Sequence, residues 1–558
     1  MTEYLSNHKD TKRNLLIILF GFTFFSVSWT IGIENHFIMD DYSTIFLATN
    51  NQYGELLSIL PQSRYNDRPV AIVLIKVLFD CFGYSELLMH MSFVLIHFIC
   101  TFLVYKCGCI MFEKKNPLYA ILAAGIFSMY PNSLMAVSWI GAVYDLTCCL
   151  FVLLAMFFFL KYIDGNKVFI QNGFFFVLFY IVSLRCKEMS LVLPLFFLIY
   201  EIMNCLDKGE KIRISFCTFL STLWMSVYLY ILLSFPALGD EYAQSFRPTI
   251  LLRNFVRYMY LYFDPFSWNM IFTKYSLIGI ALMCVFLVFV LWALFCSIKR
   301  KQYSLIAWTI GLGIIFAPVL TMENMQHKLY LYIPGIFIGI IIAYALSIIV
   351  ELKHNNYVGE MVFLSLLIIV LINFFPGPVR HKQWWRMTGE QDQKEIHQIK
   401  KLGDLEPDMT VYVSGANQGY NVFHPYGPGH ILNLIYNDNT IKTVLVDELP
   451  EDPAAPYVHW EYKDGKIEES RRVVKQRIII HSVYHEILTD GSLNIAVVCR
   501  PINDSQIIIV NEKEYFTSIG TEFISANIPQ DEWKQQNIIV VEEKEWNVKS
   551  DATTLIVE

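Results

Sequence analysis

The chain has 558 residues, of which 55% are hydrophobic and only 17% charged, with a net charge of −7 and a mean hydropathy of +0.43. A soluble protein of this length would carry about a quarter charged residues, so a wholly water-soluble enzyme is excluded. No block of like charge marks a nucleic-acid arm.

A membrane helix needs about 20 largely apolar residues. On that rule spans are predicted near 14–33, 85–106, 117–133, 141–160, 168–184, 189–205, 213–235, 276–297, 303–320, 329–350 and 358–375. The first follows Lys9, Lys12 and Arg13; its length and the lack of a small-x-small cleavage site mark a retained helix rather than a signal peptide. Eleven of the twelve cysteines lie before residue 300, and their spacing gives neither a disulfide framework nor a zinc site.

Lysine and arginine favour cytoplasmic loops. With the N-terminus inside, the connections holding Lys106/Lys114/Lys115, Lys161/Lys167, Lys208/Lys211/Arg213, Lys299/Arg300/Lys301 and Lys353 all fall inside. The expected fold is therefore a polytopic α-helical membrane protein of about eleven spans. Residues 1–379 form its membrane domain, and 380–558 a C-terminal extracytoplasmic domain of α/β or β-rich type. In that tail, HKQWWRM (381–387) is placed at the membrane interface and a helix runs to about 402. The β-branched runs TVYVS, KTVLV, RIIIH, NIAVV, QIIIV, NIIVV and TLIV, set off by DG and ND turns, read as strands.

The same topology sorts the polar clusters onto one side. HFIMDDYSTIF (36–46) places Asp40 and Asp41 in the first outer loop, and RYNDRPV (64–70) adds Arg64 and Arg68. Tyr144 and Asp145 sit near the outer end of the fourth span. Arg185, Lys187 and Glu188 lie at the outer junction of the fifth and sixth. Arg247, Arg253, Arg257 and Asp264 belong to the loop 236–275, and His327 and Lys328 close the loop after the ninth span. Solvated surface carboxylates and snorkelling cations explain each cluster alone. They do not explain why all share one face, nor why Lys187 and Glu188 interrupt two apolar runs. A carboxylate there suits a general base, and convergent cations suit a phosphate leaving group. At a lipid boundary the fitting donor is a sugar on a polyprenyl phosphate.

Four stretches carry a resemblance: FIMDDYSTIF, RYNDRPV, YPNSLMAVSWIGAVYDLTCCLF (130–151) and RCKEMSLVLPLFFLIYE (185–201). Over residues 15–385 or so the chain resembles the GT-C superfamily of multi-spanning glycosyltransferases, and is most similar to the tetratricopeptide-bearing transmembrane O-mannosyltransferases and their bacterial relatives. The resemblance implies Asp40 as catalytic base with Asp41 supporting it. It implies Arg68, with Arg64, Lys187 and Lys328, as donor phosphate-binding residues, and Glu188, Asp145 and His327 as supports of the same cavity. It implies one in-line displacement that inverts the anomeric centre. In LYLYIP (329–334), Leu329 stands where the family pattern has arginine, leaving Lys328 or His327 to substitute. Tetratricopeptide repeats are absent. Some members use a divalent metal; with few further carboxylates here, a metal-independent site is expected.

The activity implied is transfer of a hexose or pentose to an acceptor hydroxyl on the outer face of the cytoplasmic membrane, in cell-surface glycan modification. The partners are membrane lipid, the polyprenyl-phosphate sugar and a glycan, lipid or protein acceptor. A transporter or flippase of lipid-linked sugars is the alternative, disfavoured by spans short of buried charge; an inactive scaffold is a third. In the tail, His481 and His485 have helical ligand spacing, but RIIIHS reads as a strand, against a metal site. HPYGPGH (424–430) reads as a loop, and NDS (503–505) fits a glycosylation pattern.

Overall fold

The computed structural model describes residues 2–31, 36–38, 40–54, 56, 58–63, 67–112, 116–164, 169–236, 244–267, 269, 272–323, 326–352, 358–416, 421–423, 430–451, 453, 456–473, 479–500, 506–519, 523–543, 548–550 and 552–556. Two units emerge, Met1–Lys394 with Tyr420–Val422, and Glu395–Gly419 with Phe423–Glu558.

The first unit is helical. Helix α1 (Thr2–Ile31) is followed by α2 (Asp40–Asn50), α3 (Pro69–Phe82), α4 (Glu86–Met111) and α5 (Leu118–Met129). The short α6 (Met135–Ser138) leads through a 3-10 turn, Ile140–Ala142, into α7 (Val143–Ile163), and α8 (Phe169–Leu184) follows. A second 3-10 turn, Glu188–Val192, opens α9 (Leu193–Lys208), before α10 (Phe216–Ser234) and α11 (Pro248–Phe263). Then come α12 (Leu277–Lys299), α13 (Ser304–Leu320), a 3-10 turn at Lys328–Leu331, α14 (Tyr332–Leu352), α15 (Val358–Ile372) and α16 (Pro376–Lys401). Each of the eleven apolar segments taken from the sequence is a helix. Among the described residues six are long and apolar enough to cross a membrane, or seven if the pair Met361–Ile372 and Pro376–Lys401, bent by 46°, counts as one span; four more are apolar but shorter.

Three helices of eleven or more residues lie outside the segments expected to be helical. Helices α2 and α3 occupy the connection between the first two predicted spans, and α11 occupies the loop 236–275. Prolines at the first turns of α3, α9 and α11 start these helices at no hydrogen-bond cost. Ser215 and Ser276 cap α10 and α12, accepting from the backbone N–H of Thr218 and Gly279.

Helix α5 is buried along its whole length, so it need not match a bilayer. Small residues let its neighbours approach. A Cβ built on Gly108 of α4 would lie 2.8 Å from the Ala120 Cβ, and one on Gly339 of α14 would lie 2.8 Å from the Ala123 carbonyl oxygen. Buried polar groups of this region pair across helices: His97 bonds the Tyr332 hydroxyl at 2.7 Å and the Ser128 carbonyl at 3.1 Å, and Asn373 donates to the Met129 carbonyl at 2.9 Å.

In the second unit β1 (Thr410–Ser414) pairs in parallel with β2 (Lys442–Val446) and β3 (Tyr457–Lys463), and β4 (Lys466–Val473) runs antiparallel to β3, with α17 (His430–Tyr436) between β1 and β2. Two further sheets follow. One orders β5 (Ile479–Ile487), β6 (Leu493–Arg500), β10 (Ile524–Ile528) and β9 (Ser518–Ile519). The other orders β12 (Val548–Lys549), β11 (Gln536–Glu543), β7 (Gln506–Val510) and β8 (Lys513–Phe516), with β13 (Thr553–Ile556) also on β11. Their inner faces share one core, including Ile495, Val497, Ile508, Ile524, Ile539 and Val541, so they form a sandwich. Asp464–Gly465 and Asn511–Glu512, both pairs at positive φ, make the tight turns β3–β4 and β7–β8. The described residues of all seven runs read as strands lie in strands. His481 and His485 lie on β5, and no group of metal-holding side chains occurs among the described residues. The NDS triplet and residues 424–429 lie outside the described residues.

Because the Ala123 carbonyl cannot give way to a side chain, Gly339→Val is expected to destabilise the helical unit by about 1–3 kcal/mol through overpacking. Thermal unfolding of the detergent-solubilised full chain checks this; an unchanged midpoint would contradict the α5–α14 packing.

Candidate active site

The acidic pair sits at the start of α2, and its two members have different environments. Asp41 is buried. Its Oδ2 accepts from the Ile38 N–H at 2.9 Å and its Oδ1 from the Gly141 N–H at 2.6 Å, so it ties the loop to the turn that opens α7. Burial pushes its carboxyl up, against the downward pull of those two N–H bonds. Asp40 has no hydrogen-bond partner among the described residues. Burial alone pushes its carboxyl up to about 6, a value suited to a base working near neutrality.

The chain before this pair is held on the other side. Glu86, at the start of α4, accepts from the Phe37 N–H at 3.0 Å, bonds His36 Nδ1 at 2.8 Å and accepts from Gln393 of α16 at 3.1 Å. Neither Glu86 nor Gln393 was singled out from sequence; a glutamate opening an apolar helix reads as an ordinary first-turn charge.

Four residues apart, Asp40 and Thr44 share a face of α2. Thr44 hydrogen-bonds Tyr144, whose hydroxyl also lies in the field of Arg68, Asp40 and Glu188. The Arg68 guanidinium stands 5.0 Å above the Tyr144 ring and donates through Nη2 to Glu188 at 2.9 Å, with Nε at 3.2 Å. Burial works against its charge, but Glu188 more than offsets this and raises its pKa.

The junction RCKE (185–188) binds three different segments. Arg185 is buried; it donates to Asp67 at 2.9 and 3.0 Å, to the Ser58 carbonyl at 2.7 Å and to the Tyr228 hydroxyl at 3.1 Å. Lys187 donates to both oxygens of Asp145 at 2.6 and 2.5 Å and lies 4.6 Å from the Tyr330 ring centroid. Glu188 takes Arg68. Asp67, beside Arg68 in RYNDRPV, was assigned no role from sequence, although the alternation of charge in both motifs was visible.

Lys328 differs from the other cations. Buried, it donates to Asn132 Oδ1 at 3.2 Å and the Ser267 carbonyl at 2.5 Å, and among the described residues no carboxylate is hydrogen-bonded to it. The His327 Nδ1 accepts from the Leu329 N–H at 3.1 Å. Burial, with Lys187 and Lys328 nearby, pushes its imidazole down to about 3, so it is neutral. Leu329 packs against a cluster formed by Ile38, Met135 and Trp385. Trp385, expected at the membrane interface, is thus buried beside the acidic loop. Arg64 lies outside the described residues.

Of the nine side chains named from sequence, then, Asp40, Arg68, Glu188, Lys187 and Asp145 are linked through Tyr144 and mutual charge. His327 and Lys328 adjoin them on the side of Lys187. Asp41 supports the loop.

No family model matches the chain, and no curated protein matches it. Among solved structures the chain is similar to ArnT from Cupriavidus metallidurans bound to undecaprenyl phosphate, at 11% identity over 78% of this chain and 86% of that one, with a TM-score of 0.44. It is also similar to the archaeal oligosaccharyltransferase AglB from Archaeoglobus fulgidus in complex with an inhibitory peptide and a dolichol-phosphate. That match has 12% identity over 75% of this chain and 65% of that one, with a TM-score of 0.45.

The Lys187–Asp145 pair is buried on both sides. Removing one partner of such a pair strands the other charge at a cost of about 3–5 kcal/mol. Lys187→Met is therefore expected to lower the unfolding midpoint of the solubilised protein sharply, and the double change with Asp145→Asn to recover much of the loss. If the double variant is no more stable than the single one, the pair is not what holds this junction.

Proposed function

We propose that the chain is a membrane glycosyltransferase of the GT-C kind, moving a sugar from a polyprenyl-phosphate donor to an acceptor hydroxyl on the non-cytoplasmic side of the cytoplasmic membrane. The observation that carries this reading is the environment of Asp40. It is a desolvated carboxylate without a hydrogen-bond partner among the described residues, and through Tyr144 it adjoins a cluster of buried cations. A carboxylate kept for structure is bonded, as Asp41 is; one without such bonds is suited to take a proton.

In this reading Asp40 accepts the proton of the acceptor hydroxyl as its oxygen bonds to the anomeric carbon. The bond from that carbon to the phosphate oxygen breaks on the opposite face, and the polyprenyl phosphate leaves with the electron pair. A single displacement inverts the centre. Lys328, whose partners are an amide and a carbonyl, receives the phosphate without surrendering a carboxylate. Arg68 keeps Nη1 outside its bonds to Glu188, and Lys187 and Arg64 add positive charge. Glu188, Asp145 and His327 hold these cations in place.

The topology proposed is eleven crossings with the N-terminus in the cytoplasm, which brings every one of these groups and the C-terminal unit to the outer side. Helix α5 crosses as a short segment sheathed by protein, which the bilayer tolerates.

Asp40→Asn is expected to lower sugar transfer by about 10²–10⁴-fold, the usual contribution of a positioned general base, with the protein still in the membrane. Surface glycans compared by mass spectrometry, with the gene intact or altered, check this. Retained full transfer would remove Asp40 from the mechanism. The wild-type rate should also show an acid limb: with its carboxyl at about 6, Asp40 is protonated and idle below that pH and active above it. A profile flat down to pH 4.5 would contradict the assignment.

A further inference from the structure

Aromatic rings gather beside the acidic loop, around Ile38. Trp139 lies in the extended residue between α6 and the turn Ile140–Ala142. Its ring centroid is 6.2 Å from that of Trp385 and 6.4 Å from that of His327. Trp384 meets Trp385 edge-on at 5.2 Å, and Trp385 donates from Nε1 to His381 Nε2 at 2.7 Å. Ile38, two residues before Asp40, is buried in the same cluster, with Trp139 and Trp384 packed against it and themselves partly exposed.

Two details describe how the Trp139 ring is set, the first shared with the buried indoles of Trp224, Trp308 and Trp460. The Trp139 indole N–H is buried and has no hydrogen-bond partner among the described residues. A buried donor left unpaired costs about 1–3 kcal/mol and calls for an explanation. A tryptophan of the membrane interface would instead turn its N–H to the wet headgroup layer. The ring is also set with care. A Cβ on Gly141 would come within 2.9 Å of Trp139 Cε2 and 3.0 Å of Nε1, so glycine is needed for the indole edge to rest on this peptide. The N–H of that same peptide holds Asp41. One backbone unit thereby fixes both the plane of the indole and the turn carrying Asp40.

A lipid tail asks for aliphatic walls, and an extended peptide for a row of backbone partners. Partly exposed indole faces beside a neutral imidazole suit a pyranose, whose C–H face lies on an aromatic ring while its hydroxyls meet polar edges. We propose that the surface of Trp139, Trp384 and His327 seats the acceptor, and that the acceptor's attacking hydroxyl belongs to a carbohydrate. This rests on the reading of Asp40 as base. It adds the chemical class of what Asp40 deprotonates.

The test uses the full chain in lipid nanodiscs and two separate probes. Saturation-transfer NMR follows methyl α-D-mannopyranoside, methyl β-D-glucopyranoside, methyl β-D-galactopyranoside and N-acetylserine amide, and native mass spectrometry follows undecaprenyl phosphate. The expected result is saturation of ring C–H protons of at least one glycoside, in wild type and in Asp40→Asn alike. Trp139→Ala weakens that binding about tenfold, a loss on the scale of one ring contact, while undecaprenyl phosphate still binds. Trp139→Phe restores part of it. Saturation of the serine amide alone, or of none of the four, overturns the carbohydrate assignment, as does glycoside binding indifferent to Trp139→Ala. Should Trp139→Ala lose both probes, Trp384→Ala decides: weakened glycoside binding with undecaprenyl phosphate retained supports the platform, and unchanged glycoside binding overturns it. Failure of undecaprenyl phosphate to bind the wild type is a different outcome, and counts against the transferase reading itself.

Discussion

Everything at this site depends on three ion pairs made by one four-residue junction. Arg185 takes Asp67, Lys187 takes Asp145, and Glu188 takes Arg68. The junction joins two apolar helices, where an unpaired charge would be prohibitively placed. Each charge therefore dictates the position of a partner from elsewhere in the chain: two from the connection before α3, one from the opening turn of α7. Reciprocal pairing also explains why the segment is short. Side chains pointing in different directions from one 3-10 turn and the residues before it reach three elements at once, which a regular helix face would not do.

The acidic loop is held by a second, neutral scheme. Asp41 accepts from Ile38 and Gly141, Glu86 accepts from Phe37 and Gln393, and Tyr42 donates to the Phe37 carbonyl at 2.9 Å. These bonds fasten the residues around Asp40 without using Asp40. A carboxylate can remain unbonded and half-desolvated only if its neighbours fix the backbone for it. The adjacent pair thus divides one task in two: Asp41 sets geometry, and Asp40 keeps its lone pairs. Helix α16 contributes to the same end, since Trp385 and Gln393 both press on this loop.

The legible part of the structure was what depends on composition along a line. Apolar runs become helices wherever they fall, so eleven segments were visible, and β-branched runs become strands. Strands β3 and β4 escaped because YVHWEYK and KIEESRRV are polar. They are strands through the Asp464–Gly465 turn and their pairing with β1, which is a tertiary cause. Helices α2, α3 and α11 escaped because their lengths and charges match no membrane span, and a mixed sequence in an outer loop carries a weak period.

Sequence alone determined that the chain is built of apolar helices with a β-rich tail, and that its unusual charges group at particular helix ends. Both follow from hydropathy, which acts residue by residue. Only the tertiary structure decided which carboxylate is bonded and which has no hydrogen-bond partner among the described residues, which cation is hydrogen-bonded there to no carboxylate, and that Trp385 packs beside the acidic loop. Those properties belong to pairs of groups hundreds of residues apart, and the energy of a buried charge or donor is set by what stands within about 3 Å of it, a distance no linear pattern records.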